Sequence, residues 1–76
     1  MKIKVYSQPT CPKCMILKKM LKDNHIQFFT VEDVEEMKRK GITEIPVMEI
    51  YNENVGSEYM NFDEARSWID KKKGNM

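Results

Sequence analysis

Cys11 and Cys14 are the only cysteines in the chain and stand three positions apart, so a bond between them closes a very small loop. Disulfides that hold a small protein together clamp distant segments, and this pair cannot do that. A 76-residue chain buries only about 60% of the surface its unfolded form exposes. Packing around one modest core must therefore hold a single domain over residues 1–76. The composition permits this. Apolar residues make up 41% of the chain and charged residues 33%, with three Gly and three Pro, which is globular rather than low-complexity. The two cysteines then need a chemical explanation rather than a structural one.

Other classes are excluded by charge and hydropathy. Thirteen basic side chains against 12 acidic ones leave a net charge of +1, so nothing favours a nucleic acid or an acidic polymer as partner. No apolar run approaches the ~20 residues that would span a bilayer. Met1 to Ser7 carries two lysines with no apolar stretch behind them, unlike a signal peptide. A soluble, cytoplasmic monomer is expected.

Hydrophobic periodicity divides the chain into seven elements. Lys2 to Ser7 alternates as a strand, and Gln8-Pro9-Thr10 is a loop. Pro12 to Asp23 has helical spacing: Cys14, Ile16, Leu17, Met20 and Leu21 fall on one side, and Lys18, Lys19 and Lys22 on the other. Pro12 suits the first helical turn, where its missing N–H costs nothing. Asn24 and His25 end the helix. Ile26 to Val31 is β-rich. Glu32 to Lys40 begins acidic, ends basic and meets Gly41, the order a helix dipole favours. Ile45 to Tyr51 reads as a strand, Asn52-Glu53-Asn54 as a turn, and Val55-Gly56 as the start of a partner strand. Asn61 and Glu64 form a capping-box variant ahead of an apolar stripe of Phe62, Ala65, Trp68 and Ile69. The tail Lys71 to Met76 is expected to fray into solvent. The order is β-α-β-α-β-β-α, an α/β arrangement. The first two strands should be parallel through a right-handed crossover, and the last two an antiparallel hairpin.

Thr10-Cys11-Pro12-Lys13-Cys14 sits where the first strand gives way to the first helix. The opening turn of a helix presents unpaired N–H groups and the positive end of the dipole. A thiolate at Cys11 is stabilised there, below the free-thiol pKa of ~8.5, and the Lys13 cation favours the same form. Cys14 shares the buried stripe with Leu17 and Leu21, whereas Cys11 is at the tip. An exposed, acidified thiol beside a shielded one divides the steps of thiol–disulfide exchange: Cys11 attacks a substrate disulfide and Cys14 resolves the mixed disulfide. The alternatives are a zinc half-site and two inert buried cysteines. Zinc needs four ligands, and the only other nitrogen ligand, His25, lies at the far end of the helix, so no metal site is expected. Thr43-Glu44-Ile45-Pro46 precedes the third strand. A proline there is commonly trans, and the residues alone leave its isomer open.

Taken together, the TCPKC turn, the Ile-Pro pair some thirty residues later and the element order resemble the small glutaredoxin-like redoxins of the glutaredoxin and thioredoxin superfamily. The resemblance covers essentially the whole chain and implies a thioredoxin fold, a four-stranded mixed sheet with helices on both faces. It implies a cis Pro46 beside the active-site disulfide that also keeps metals from the thiols, and an Ile45 backbone that pairs with substrate like an added strand. The chain departs from the family pattern at four places. Lys13 replaces an aromatic residue, Gln8 a lysine, and Glu44-Ile45-Pro46 a Thr-Val-Pro. Gly56-Ser57-Glu58-Tyr59 stands for the Gly-Gly-x-Asp-Asp stretch that receives the charged ends of glutathione, which makes Gly56 and Ser57 candidate substrate contacts.

The resemblance thus implies an enzyme with no bound cofactor, reducing protein disulfides and recharged by a thioredoxin-reductase-type flavoenzyme, as in the redoxins that serve ribonucleotide reductase. Recharging by glutathione is the alternative. An iron–sulfur-bridging dimer and a silent module of the same fold are more distant ones. Four further features complete the site. Tyr6, ending the first strand, is a candidate substrate contact, although a half-buried strand tyrosine is simpler. Glu49, unusual in an interior strand, is either a proton acceptor for Cys14 or paired with a lysine. Met15 and Met60 offer adaptable apolar contact near the site.

Overall fold

Alternation at the start of the chain produces the first central strand, and the rest of the sheet assembles on it. The computed structural model describes residues 2–74. Its elements are β1 (Lys2–Tyr6), α1 (Pro12–Asp23), β2 (Phe29–Val31), α2 (Val34–Arg39), β3 (Val47–Asn52), β4 (Gly56–Met60) and α3 (Phe62–Gly74). The sheet order is β2-β1-β3-β4. β1 and β2 are parallel, while β1 with β3 and β3 with β4 are antiparallel. The expected element order and mixed sheet are observed.

Strand alternation sorts the residues between two faces. Ile3 and Val5 of β1 join Met48 and Ile50 of β3, Leu17 and Leu21 of α1, and Ala65 and Ile69 of α3 in one buried cluster. Leu17 and Leu21 have no exposed surface, and burying each contributes about 1.5–3 kcal/mol. Tyr6 and Glu49 alternate with these residues and face the other side, toward Lys40 at the end of α2. α1 and α3 therefore pack on one face, and the end of α2 reaches the other through Lys40.

The helix ends follow local chemistry. Pro12 opens α1, and Asn24 closes it, its side chain donating to the Met20 carbonyl at 2.7 Å. His25 follows with φ 58°, a left-handed conformation that histidine tolerates better than most residues. Asp33 caps α2 by accepting from the N–H groups of Glu35 and Glu36, and Gly41 (φ 73°) ends it. Asn61 and Glu64 cap α3 reciprocally, at 2.8 and 3.0 Å.

Several boundaries differ from expectation. Ile26 and Phe28 pack against the core, but the β2 ladder begins only at Phe29. α3 continues through Lys71 to Gly74 rather than fraying, and Asn75 and Met76 lie outside the described residues. Ile16 is 50% exposed rather than part of the buried stripe of α1. Its angle on the helix, close to that of Pro12, is the outward one.

Candidate active site

The turn Gln8–Cys11, closed by the Cys11 N–H on the Gln8 carbonyl at 3.2 Å, delivers Cys11 to the N-cap of α1. Its sulfur accepts from the Cys14 N–H at 3.2 Å. A sulfur replaces the usual oxygen in capping the helix, so one of the otherwise unpaired N–H groups of the first turn, that of Cys14, points at sulfur. Cys11 and Cys14 are paired as a disulfide with Cα atoms 5.2 Å apart. Cys11 is half-buried, whereas Cys14 has no exposed surface. Such a pair can present one sulfur to a partner and keep the other behind it.

A loop from the end of α2 brings the second part of the site beside this turn. The Ile45–Pro46 bond is cis, and Pro46 is buried at the start of β3. A groove of about 150 Å³ is lined by Lys13 from α1, by Glu44, Ile45, Pro46 and Val47, and by Asn61, Phe62 and Asp63 at the start of α3. Lys13 and Arg66 place their cations 5.7 and 5.5 Å from the centre of the Phe62 ring, a favourable contact with its π face.

The structure places the candidate contacts differently from expectation and decides between the two readings of Glu49. Gly56 and Ser57 are not at this groove. They pair with Asn52 and Tyr51, while Met60 pairs with Met48 next to the proline end of β3. The hairpin runs long, and it is Asn61, Phe62 and Asp63 that reach the groove. Counting pairs back from Pro46 to the Asn61–Glu64 cap would have found them. Tyr6 is fully buried and offers no surface to a substrate. Glu49 is no acceptor for Cys14, because it lies on the opposite face of the sheet from Met48 and the core that Cys14 adjoins.

Glu49 instead joins a polar network under the sheet. It is 6% exposed and accepts from the Tyr6 hydroxyl at 2.5 Å, the Ser57 hydroxyl at 2.7 Å and Lys40 Nζ at 3.2 Å. Lys40 also donates to the Tyr6 oxygen at 2.6 Å. Burial pulls the Glu49 carboxyl upward, but donation from Tyr6, Ser57 and Lys40 outweighs it and holds the group below the ordinary carboxylate range. The Tyr6 hydroxyl is pushed up, first by burial and then by its bond to Glu49. Lys40 is raised chiefly by its bond to Tyr6. The lysine-paired alternative for Glu49 is the one observed.

Among the described residues, no three His, Cys, Asp or Glu side chains gather as a metal site, and no helix is long and apolar enough to cross a membrane. The family model for glutaredoxin matches residues 3–53. A glutaredoxin-like 8.6 kDa protein of the rubredoxin operon of Clostridium pasteurianum, itself uncharacterised, is 45% identical over 38 residues. That match covers 50% of this chain and 51% of the relative, so the chain spans about half the length of the curated relative it matches. Among solved structures, a trimeric glutathione transferase from Leishmania superposes with a TM-score of 0.70 at 15% identity, over 92% of this chain and 17% of that one. Thioredoxin 1 of Thermosipho africanus gives 0.61 at 12% identity, over 96% and 99%. At those identities the likeness is one of fold, the thioredoxin fold.

Proposed function

The chain belongs to the glutaredoxin family, and on that premise we propose that it is a dithiol oxidoreductase that reduces protein disulfides through Cys11 and Cys14. The Cys11 thiolate attacks one sulfur of the substrate disulfide, and the other sulfur departs as a thiolate that takes up a proton. Cys14 then loses its proton and attacks the Cys11 sulfur of the mixed disulfide. The second substrate thiol is released and the Cys11–Cys14 bond closes. The substrate gains two electrons from the protein and two protons, one from Cys14 and one from solvent, and a reductant must return the two electrons. The supporting observation is the Cys14 N–H directed at Cys11 sulfur, with Cys14 sealed behind. A sulfur held at a helix start is the better attacking and leaving group.

A protein substrate is favoured by the surface beside Cys11. Met15 and Ile16 follow it on the outward side of α1 and are 63% and 50% exposed, where an ordinary helix face would be charged. Met15 lies one helical turn after Cys11. Recharging by a thioredoxin-reductase-type flavoenzyme fits this surface. The rubredoxin-operon setting of the Clostridium relative is consistent with electron transfer. Glutathione is the second reading, favoured by Lys13 and Asp63 on one groove, opposite charges that suit the ends of a small peptide. A cytoplasmic monomer suits either supply.

NADPH with a thioredoxin reductase, or with glutathione and its reductase, is supplied to the protein with insulin as substrate. The first pair is expected to sustain turnover. Exclusive turnover with the second would replace the flavoenzyme reading by glutathione. With the first pair, Met15→Ser/Ile16→Ser should raise KM for insulin about three- to tenfold, in line with loss of roughly 1 kcal/mol of apolar burial, while kcat is kept.

A further inference from the structure

Ser7 is wholly buried, and its hydroxyl has no hydrogen-bond partner among the described residues. A buried polar group left unpaired is costly and rare, and its persistence calls for a partner in some state of the molecule. Its position indicates which. The Ser7 N–H donates to the Val31 carbonyl at 3.0 Å, so strand pairing runs one residue beyond β1. Tyr6 faces Glu49 and Lys40, and alternation therefore turns Ser7 to the other face with Val5, the side on which α1 packs. The loop after Ser7 leads straight into the Cys11 turn. Cys14, on the inward side of the first turn of α1, is sealed to the same degree. The chemical group that changes in this interior is the Cys14 sulfur.

Resting on the dithiol cycle proposed above, we infer that the Ser7 hydroxyl is a donor kept for the Cys14 sulfur of the reduced state. In the disulfide, that sulfur is a poor acceptor held by its bond to Cys11. When a dithiol reductant supplies two electrons and two protons, the S–S bond breaks and Cys14 Sγ is free to turn. As a thiol it is a modest acceptor, and as the thiolate that closes the mixed disulfide it is a strong one. Ser7 thus stabilises the reduced form and the resolving anion, and leaves the oxidised form with an idle hydroxyl.

Ser7→Ala separates these states. The Cys11–Cys14 equilibrium is titrated in dithiothreitol redox buffers without protein substrate, and urea unfolding is followed in both oxidation states. The variant should favour the disulfide about tenfold more than wild type, which is about 30 mV more negative for a two-electron couple. Its oxidised form should be as stable as wild type or more so, and its reduced form less stable. Resolution of a mixed disulfide preformed on Cys11 should slow. An unchanged potential with equal stability shifts in both states, as a buried water or simple packing role would give, overturns the inference. A wild-type pair that fails to titrate reversibly overturns it together with the reductase reading. Reversible titration with an unaltered Ser7→Ala potential overturns the Ser7 role alone.

Discussion

Cys11→Ser is expected to abolish insulin reduction, with turnover falling at least ~10³-fold, because a serine hydroxyl cannot carry out thiol–disulfide exchange. Cys14 cannot substitute. It has no exposed surface, and a protein disulfide cannot approach it in line. Cys14→Ser should behave differently. The first attack remains, nothing resolves it, and a covalent substrate adduct accumulates on Cys11. Non-reducing electrophoresis and mass spectrometry read the two outcomes together. Full activity in Cys11→Ser, or adducts mapping to Cys14 in the wild type, would assign the attack to the wrong sulfur.

Lys40→Met should destabilise the fold by about 2–3 kcal/mol. Breaking a fully buried pair costs roughly 3–5 kcal/mol, and the Lys40 side chain is 27% exposed against 7% for Glu49, so water offsets part of the loss. A domain of this size has only about 4–11 kcal/mol to lose. Glu49→Gln in the same background should recover part of it, because the amide oxygen still accepts from Tyr6, its NH2 donates to the Ser57 hydroxyl, and no charge is stranded. Urea midpoints at pH 7 make the comparison, and equal midpoints for wild type and Lys40→Met would dismiss the network as inert. The same network sets a pH dependence. Glu49 lies below the ordinary range, so its contribution is complete above the unfolded carboxylate pKa of ~4.3 and is lost as pH falls through the lower folded value. Tyr6 and Lys40 are raised. Their contributions are complete below the unfolded values near 10 and are lost as pH rises through the folded ones. Glu49→Gln should flatten the acid limb.

The parts of this molecule that local chemistry determines were legible before the fold. α1 runs over the predicted Pro12–Asp23, because proline and Asn24-His25 punctuate it. Gly41 and the Asn61–Glu64 box likewise mark ends within a turn of where they fall. The thiol pair needed only its place between strand and helix. The Glu49 network was opaque for the opposite reason. Tyr6 and Glu49 are 43 residues apart, Tyr6 and Lys40 are 34 apart, and Glu49 and Ser57 are 8 apart. Only strand register brings them together. Along the chain, Glu49 is simply a charge in an apolar run. The lining of the groove was missed at the same level: Gly56 and Ser57 were singled out through a resemblance to a family stretch, whereas a hairpin positions residues by the number of pairs it closes.

That hairpin gives the molecule two unlike poles. β1 pairs Tyr6 with Val47 at the sulfur end and Lys2 with Tyr51 at the other, a span of roughly 13 Å at the usual rise of a strand. The Asn52–Gly56 turn projects from the far pole, with Val55 84% exposed. A reporter dye, an electrode linker or a fused domain grafted on this turn would leave the sulfur pole facing free solution.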